Sequence, residues 1–476
     1  MAVNDILELG RQGLTSNRQA LQTTSGNIAN ANTPGYTRRR AIVETNNLSI
    51  PQGANMGSGV EVKRVIRVHD QFVNKQIIDE SQNFGGTKAK AENLQRIELV
   101  TQRDADNVNN LVNKFFGDLR EMSLSPETTA IRNVVQSSGQ ALASGMKSMS
   151  ADLEGMKQDL DYRIEDTVAQ VNGLTRELAE LNRNIMQGST RKDTVLDLED
   201  RRDSVMRELS QKINFQTHID DLGQISVVTG GCILVQGERS NALFAVRTAA
   251  EGEKGPGSLD LFIKNHGEGR KISGGITDGE LGGMMHVRDK VLNPAIEHLD
   301  KIAYHIATEV NSAHQEGEGM DGVSGREFFK DIGSNAQGAA YRFDLHDDIK
   351  SNFENIAVGY SGSKSGSNEV ALKMANIQNE KGLLTNHLGT QEQHTINESL
   401  NALVARVGVE TQREGNLFNH QKDVVQQLEN YRQSVEGVNL EEEAVNMIQF
   451  QTVFNASAKA MKVGEELFDT ILSLKN

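Results

Sequence analysis

The chain has 476 residues, room for two to four domains at roughly 100–200 residues each. Fifty basic against 65 acidic residues give a net charge of −15, which argues against a general binder of nucleic acid or of anionic membranes. One cysteine, Cys232, excludes an intrachain disulfide and any Cys-cluster metal or iron–sulfur centre, and 4% aromatic content without tryptophan disfavours a large aromatic-lined ligand pocket.

In chain order, the first 32 residues predict one amphipathic helix with Asn4 or Asp5 as cap. Its apolar stripe is Leu7, Leu14, Leu21 and Ile28, and its opposite face, with Gly13, Ala20 and Gly26, is small or polar. Such a helix is too polar and too glycine-rich to stand alone, so it calls for a partner. Pro34-Gly35 suits the centre of a type II turn. Short strands follow between Arg38 and Val68, around a glycine-rich loop at Gln52–Gly59. Residues 1–75 carry nine basic and five acidic groups, so this module is positive while the remainder is strongly negative.

From Gly86 to about Lys212 the 3/4 spacing is helical. It is clearest from Met146 through Leu153, Leu160, Ile164, Val171 and Leu178 to Ile185. A shorter helix at Asp193–Lys212 predicts an antiparallel pair. The period then changes to two from Ile213 to about Ile276, an inserted β domain. Helix returns at Leu281, with Pro294 as an expected kink. Residues 316–368 read as a Gly/Ser-rich insertion with short strands at Ala340–Leu345 and Asn355–Tyr360, and from Glu369 the chain reads as helical almost to its end. The last helix mirrors the first: Leu440, Met447, Phe454, Met461, Phe468 and Leu472 form one seam, so the two ends are expected to pair as a coiled coil.

The expected fold class is therefore α+β, mainly α, with discontinuous domains: paired terminal coiled-coil helices, a long helical bundle and an inserted β domain. The expected boundaries are 1–75 with 437–476, 76–212 with 281–315 and 369–436, 213–280, and 316–368.

No catalytic, cofactor or metal site emerges. His298 and His305, like His387 and His394, are seven apart, which is not ligand spacing, and they read as solvated or rim histidines. Asp344, His346, Asp347 and Asp348 read as a surface turn or a loose cation site. Around Asp321-Gly322 a calcium loop fails, because Gly317, Gly319 and Phe328 replace ligands. The loop 359–367 lacks Gly-Lys-Ser/Thr, so it is no phosphate loop, and Cys232 reads as a small buried strand residue. Arg38-Arg39-Arg40 reads as a solvated or interface charge cluster.

The segment GNIANANTPGYTR, with Asn27, Asn30, Thr33, Pro34, Gly35 and Tyr36, resembles the N-terminal signature of bacterial flagellar axial proteins of the rod, hook and hook-associated type. The segment from Ser434 to Leu472 resembles their C-terminal signature, in wording nearest the hook-associated members, with Phe454 where the family usually has tyrosine. The resemblance implies a non-enzymatic structural subunit, self-assembling as a ring between hook and filament. It implies no cleaved signal peptide, type III export and an extracellular place in the flagellum. The implied partners are other copies of itself, hook protein, hook-associated protein 3 and a cytoplasmic export chaperone on Met447, Phe454, Met461 and Phe468, with no nucleic acid, no membrane insertion and no cofactor. A divergent hook subunit, or a secreted enzyme or adhesin on flagellar-type ends, is the alternative.

Overall fold

The computed structural model describes residues 3–45, 59–101, 107–188, 195–220, 223–248, 258–265, 268–362, 366–387 and 390–473. The glycine-rich loop expected at 52–59 lies, but for Gly59, outside them.

Helix α1 (Val3–Ala29) leads into a hairpin of β1 (Arg39–Thr45) and β2 (Val60–Arg67), paired antiparallel from Arg39 opposite Arg67 to Thr45 opposite Val60. Helices α2 (Gln71–Thr101), α3 (Val108–Leu124), α4 (Thr129–Gly188) and α5 (Val195–Lys212) follow. The 60 residues of α4 make a rod of about 90 Å at about 1.5 Å per residue. Val135, Leu142, Met146, Leu153, Leu160, Ile164, Val171 and Leu178 form its buried stripe. This spacing keeps one face turned to the neighbouring helices along the whole rod.

The period-two stretch folds as β3 (Gln216–Ile219), β4 (Ile225–Thr229), β5 (Cys232–Gln236) and β6 (Arg239–Ser240) in one antiparallel sheet. A second sheet holds β7 (Leu243–Thr248), β8 (Ser258–Asn265) and β9 (Glu268–Lys271). Ile225 and Val227 of β4, and Leu259, Leu261 and Ile263 of β8, point inward, as alternation requires. The rod holds both sheets by side-chain amides. Asn182 donates to the carbonyls of Ile225 and Gly237 (2.8 and 2.9 Å), and Asn172 exchanges two hydrogen bonds with the backbone of Leu243 (2.6 and 2.8 Å). Cys232 is buried in β5.

Then come α6 (Gly279–His286), a π-helical turn at Val287–Leu292 and α7 (Asn293–Gln315). Pro294 stands in the first turn of α7, so the expected kink takes the form of one wide turn just before the ring that cannot donate. Buried Arg288 of that turn donates to Asp161 of the rod at 3.0 Å.

Residues 316–368 differ from the expectation. Ala340–Leu345 is not a strand: Ala339–Arg342 forms the helical turn α8, between β10 (Gly317–Glu318) and α9 (Asp347–Ser351). The cause is Asp300 of α7, which accepts from the backbone N–H groups of Gly338 (2.6 Å) and Ala340 (3.0 Å) and so fixes a helical start. Of Asn355–Tyr360 only β11 (Gly359–Tyr360) is strand, paired with β10. The segment also contributes Phe328, Phe329 and Phe343 to the largest aromatic cluster, against Phe115 of α3, so its sparse apolar residues belong to the main core.

After α10 (Glu369–Asn376) the expected unbroken helix is interrupted by the hairpin β12 (Leu383–His387) and β13 (Thr390–His394). Thr395 and Glu398 form a capping box that starts α11 (Ile396–Glu436) afresh, a local signal that the 3/4 reading ran over. Helix α12 (Leu440–Ser473) returns antiparallel along α1.

Candidate assembly interface

On the α1 side, the contact with α12 is made by small residues. The buried face of α1 is Gly10, Gly13, Ser16, Ala20, Thr24 and Asn27. The face of α12 turned to it runs Glu443, Met447, Phe450, Phe454, Ser457, Met461 and Gly464, alternating four and three. A Cβ on Gly10 would stand 3.2 Å from Cβ of Met461, and one on Gly13 would stand 2.7 Å from Oγ of Ser457. Gly464 in turn faces Leu7. The leucine stripe expected as the seam of α1 therefore sits differently: Leu7, Leu14, Leu21 and Ile28 are only half-buried, and of the four it is Leu7 that packs on a residue of the α12 face, Gly464. Close approach of two backbones favours small side chains at the crossing, and the bulk is displaced to the sides. On α12, Met447, Phe454 and Met461 are half-buried under α1, while Leu440, Phe468 and Leu472 stay exposed.

The signature residues form the joint at the other end of this hairpin. Thr33-Pro34-Gly35-Tyr36 is a turn closed by Tyr36 N–H to the Thr33 carbonyl at 3.2 Å, and Gly35 has φ +81°, the type II geometry. Asn30 caps the end of α1 by donating to the Gly26 carbonyl (2.9 Å) and accepts from the Thr33 hydroxyl (3.2 Å). Asn27 is buried and binds both sides of the turn. Its Oδ1 accepts from the Tyr36 hydroxyl and from the Arg39 N–H, both at 2.9 Å. Its Nδ2 donates to the Arg39 carbonyl (2.8 Å) and to Glu443 of α12 (3.1 Å). One carboxamide thus locks α1, β1 and α12 together.

Charge closes the joint. Arg38 pairs with Glu443 (2.7 Å) and Glu442 (2.8 Å), while its backbone N–H donates to the Glu436 carbonyl at 2.9 Å. Arg39 lies over the Tyr36 ring, 5.1 Å from its centre, and pairs with Asp197 of α5. Arg67 pairs with Asp200 (2.9 Å) and with Asp203 of the same helix. Buried Glu436 accepts from the Asp70 N–H at 2.7 Å. Burial raises the pKa of Asp200, with Arg67 as the main opposing influence, and burial likewise raises that of Tyr36. Burial works against the charge of Arg67, but Asp203 and Asp200 outweigh it and hold its pKa above the ordinary value.

The six signature residues are thus brought together in space, and Asn27 joins them to the last helix. Sequence reading missed Arg67, Asp200, Asp203, Glu436 and Glu443. Their signal was the positive N-terminal module inside an acidic chain. Arg38 and Arg39 are interface cations, whereas Arg40 is exposed.

The weaker candidates resolve into ordinary contacts. His298 is half-buried rather than solvated, with Nε2 2.6 Å from Ser399 Oγ. Asp344 pairs with Lys350, Asp347 with Lys330 and Asp321 with Arg326. Among the described residues no group of three histidine, cysteine or acidic side chains is placed to hold a metal, and no helix is long and apolar enough to cross a membrane.

Three family models match: the flagellar hook-associated protein FlgK helical domain over 94–329, the flagellar basal body rod FlgEFG protein C-terminal over 432–474, and the flagella basal body rod protein over 7–37. Flagellar hook-associated protein 1 of Bacillus subtilis is 27% identical, covering 98% of this chain and 97% of its own. That of Salmonella typhimurium is 25% identical over 99% and 100%. These matches make the chain a structural protein of the flagellar hook–filament junction, similar along nearly its whole length to flagellar hook-associated protein 1. The solved flagellar hook junction protein FlgK from Burkholderia pseudomallei has the same fold, with a TM-score of 0.65 at 16% identity over 76% of this chain and 100% of that one. Both rod-type matches fall on the two helices that meet at Asn27 and Glu443, and the FlgK-specific match covers the rod, the β layer and α7. By this similarity the chain is part of the bacterial flagellum and self-assembles into its axial structure.

Proposed function

We propose that the chain acts as a non-enzymatic structural subunit in which paired terminal helices build the inner wall of a ring between hook and filament. The observation that carries this reading is the Asn27–Glu443 joint, which fixes the α1–α12 hairpin to the body through one buried amide and two rows of ion pairs. A subunit that joins two tubes needs its inner element held at a defined angle, since a small angular error repeats at every subunit contact. Helix α12 turns a second apolar row outward, with Val445, Ile448, Val463, Leu467 and Ile471 exposed, and this row suits packing against neighbouring subunits. Residues 1–75 with 437–476 form the assembly unit, the rod and its partner helices the spacer, and residues 213–280 and 316–368 the outward parts.

Hook protein on one side and hook-associated protein 3 on the other are the axial partners in this reading. Export proceeds through the flagellar type III apparatus. Before assembly, a chaperone takes Met447, Phe454 and Met461 by occupying the place of α1, and covers the exposed Phe468 beyond it. Deleting the gene tests the function: electron microscopy should show hooks without attached filaments, and normal filaments would overturn it.

A further inference from the structure

A cleft of about 960 Å³ opens beside the joint, between β2, α2, α5 and the first strands of the β layer. Its lining mixes cations with apolar side chains, Lys63, Arg64, Lys75 and Arg202 beside Ile78 and Ile219, and its two carboxylates, Glu199 and Asp203, are paired with Arg67. Ile219 is exposed. Lys63 is paired with Glu44 at 2.8 Å. Among the described residues, Arg64, Lys75 and Arg202 have no carboxylate within ion-pair distance. Arg202 is the most telling. Its Nη1 donates to the Gly223 carbonyl at 2.9 Å, but its buried Nε has no hydrogen-bond partner, and burial lowers its pKa. Asp203 and Glu199 offset that burial only in part, and a charge held out of water with incomplete compensation is costly, so an arriving anion relieves it. A positive cleft in a chain of net charge −15 marks a surface made for an acidic group.

The same chain carries a surface of the complementary kind. At the far end of α12, Glu465, Glu466 and Asp469 are exposed and have no ion-pair partner among the described residues. Leu467, Phe468 and Ile471 are exposed beside them. That helix end is therefore acidic on one flank and apolar on the next, as the cleft is basic and apolar. It cannot reach the cleft of its own chain. The 34 residues of α12 span about 50 Å, and the cleft adjoins the joint at their opposite end.

We infer that the cleft at β2 and α5 receives the acidic, apolar end of α12 from a second copy of this chain. The contact is head-to-tail, with different surfaces on the two partners, which is the kind that propagates into rings or helices. The inference rests on the self-assembly reading above and says which two surfaces meet.

Cysteines at the two surfaces test it in assembled flagella, because the native Cys232 is buried. In a chain with Arg64→Cys and Asp469→Cys, a short bifunctional thiol reagent should give a species of twice the monomer mass in hook-tip preparations. Presence of the protein there without that species would overturn the contact while leaving the junction function intact. Absence of even the unmodified protein from hook tips would overturn the function itself. A charge exchange decides independently. Arg64→Glu with Lys75→Glu, or Glu465→Lys with Glu466→Lys and Asp469→Lys, should each reduce filament attachment, and all five together should restore it. Undiminished attachment with either set alone, or no recovery with all five, would overturn the inference.

Discussion

Asn27 and Glu443 lie 416 positions apart in the chain, and their side chains are hydrogen-bonded at 3.1 Å. This bond is the point where the first helix, the first strand and the last helix are fastened. Because Asn27 also satisfies the backbone of Arg39 and the hydroxyl of Tyr36, its side chain acts as a spacer with fixed donors and acceptors.

Replacing it should be expensive for its size. Asn27→Ala removes four hydrogen bonds at a buried position, a loss of about 2–4 kcal/mol at about 0.5–1.5 kcal/mol each with partial rehydration. Asn27→Asp should be worse, since it places a carboxylate against Glu443. Amide exchange of α1 and α12 should accelerate in both variants while the rod amides keep their protection. Uniform acceleration across the chain would show that the joint is not a separate unit.

The contact of α1 with α12 should tolerate loss of leucine better than gain of bulk. Gly10→Leu and Gly13→Leu push a side chain into Met461 or Ser457 and should unpair the hairpin. Leu14→Ala, at a half-buried flank, should cost about 1 kcal/mol. Circular dichroism of the purified variants and filament attachment in cells provide the readouts. The reverse ranking would restore the leucine stripe as the seam.

Gly35 separates shape from space. A Cβ there would meet nothing nearer than Arg207 Nη2 at 3.9 Å, so the site has room, but φ +81° disfavours any branched residue. Gly35→Asn, which accepts positive φ, should keep filament attachment. Gly35→Val should lose it at a cost of about 1–2 kcal/mol or more in the joint, with secretion retained. Equal behaviour of the two variants would make the turn a simple helix stop.

Acid should loosen the body through His314. Its Nδ1 donates to the Arg326 carbonyl (2.8 Å) and its Nε2 accepts from the Ala357 N–H (2.9 Å), an arrangement open only to the neutral ring. Burial, which outweighs the bond to Arg326, lowers its pKa to about 4 from an ordinary 6.5. Between these values the unfolded chain takes up a proton that the folded chain refuses. Stability is thus full above pH 6.5 and falls as pH drops towards 4, by roughly 3 kcal/mol in total. Thermal unfolding from pH 7 to 4 should show this slope, and His314→Gln should flatten it. An unchanged slope in that variant would assign the acid sensitivity to other groups, His298 first, since burial also lowers its pKa to about 4.

Much of the architecture was readable because periodicity is a local property. The stripe from Val135 to Leu178 announces the rod, and the alternation of Ile225 and Val227 announces the β layer. Residues 316–368 were harder. Phe328, Phe329 and Phe343 follow no period, because loops wrapped over a core are placed by distant partners such as Phe115 and Asp300. At the joint, the turn was legible from Pro34-Gly35. The role of Asn27 was not, since its partners Arg39 and Glu443 are chosen by tertiary packing. The face of α1 was misjudged for a related reason: hydrophobic spacing shows where bulk lies, whereas close helix pairs are set by where bulk is missing, at Gly10, Gly13 and Ala20.

The pairing of α1 with α12 also has a temporal meaning. Every other large contact in the body can form between segments made earlier, but this hairpin needs both of its halves, and they are the first and the last helices of the chain. Closing so long a loop is slow, and it comes after the local structure has formed. On the proposed reading, the element that recognises other subunits is therefore unavailable until α12 has been made. A fragment lacking either helix carries no hairpin, so on the proposed reading the fold itself keeps such a fragment from taking a place in the assembly.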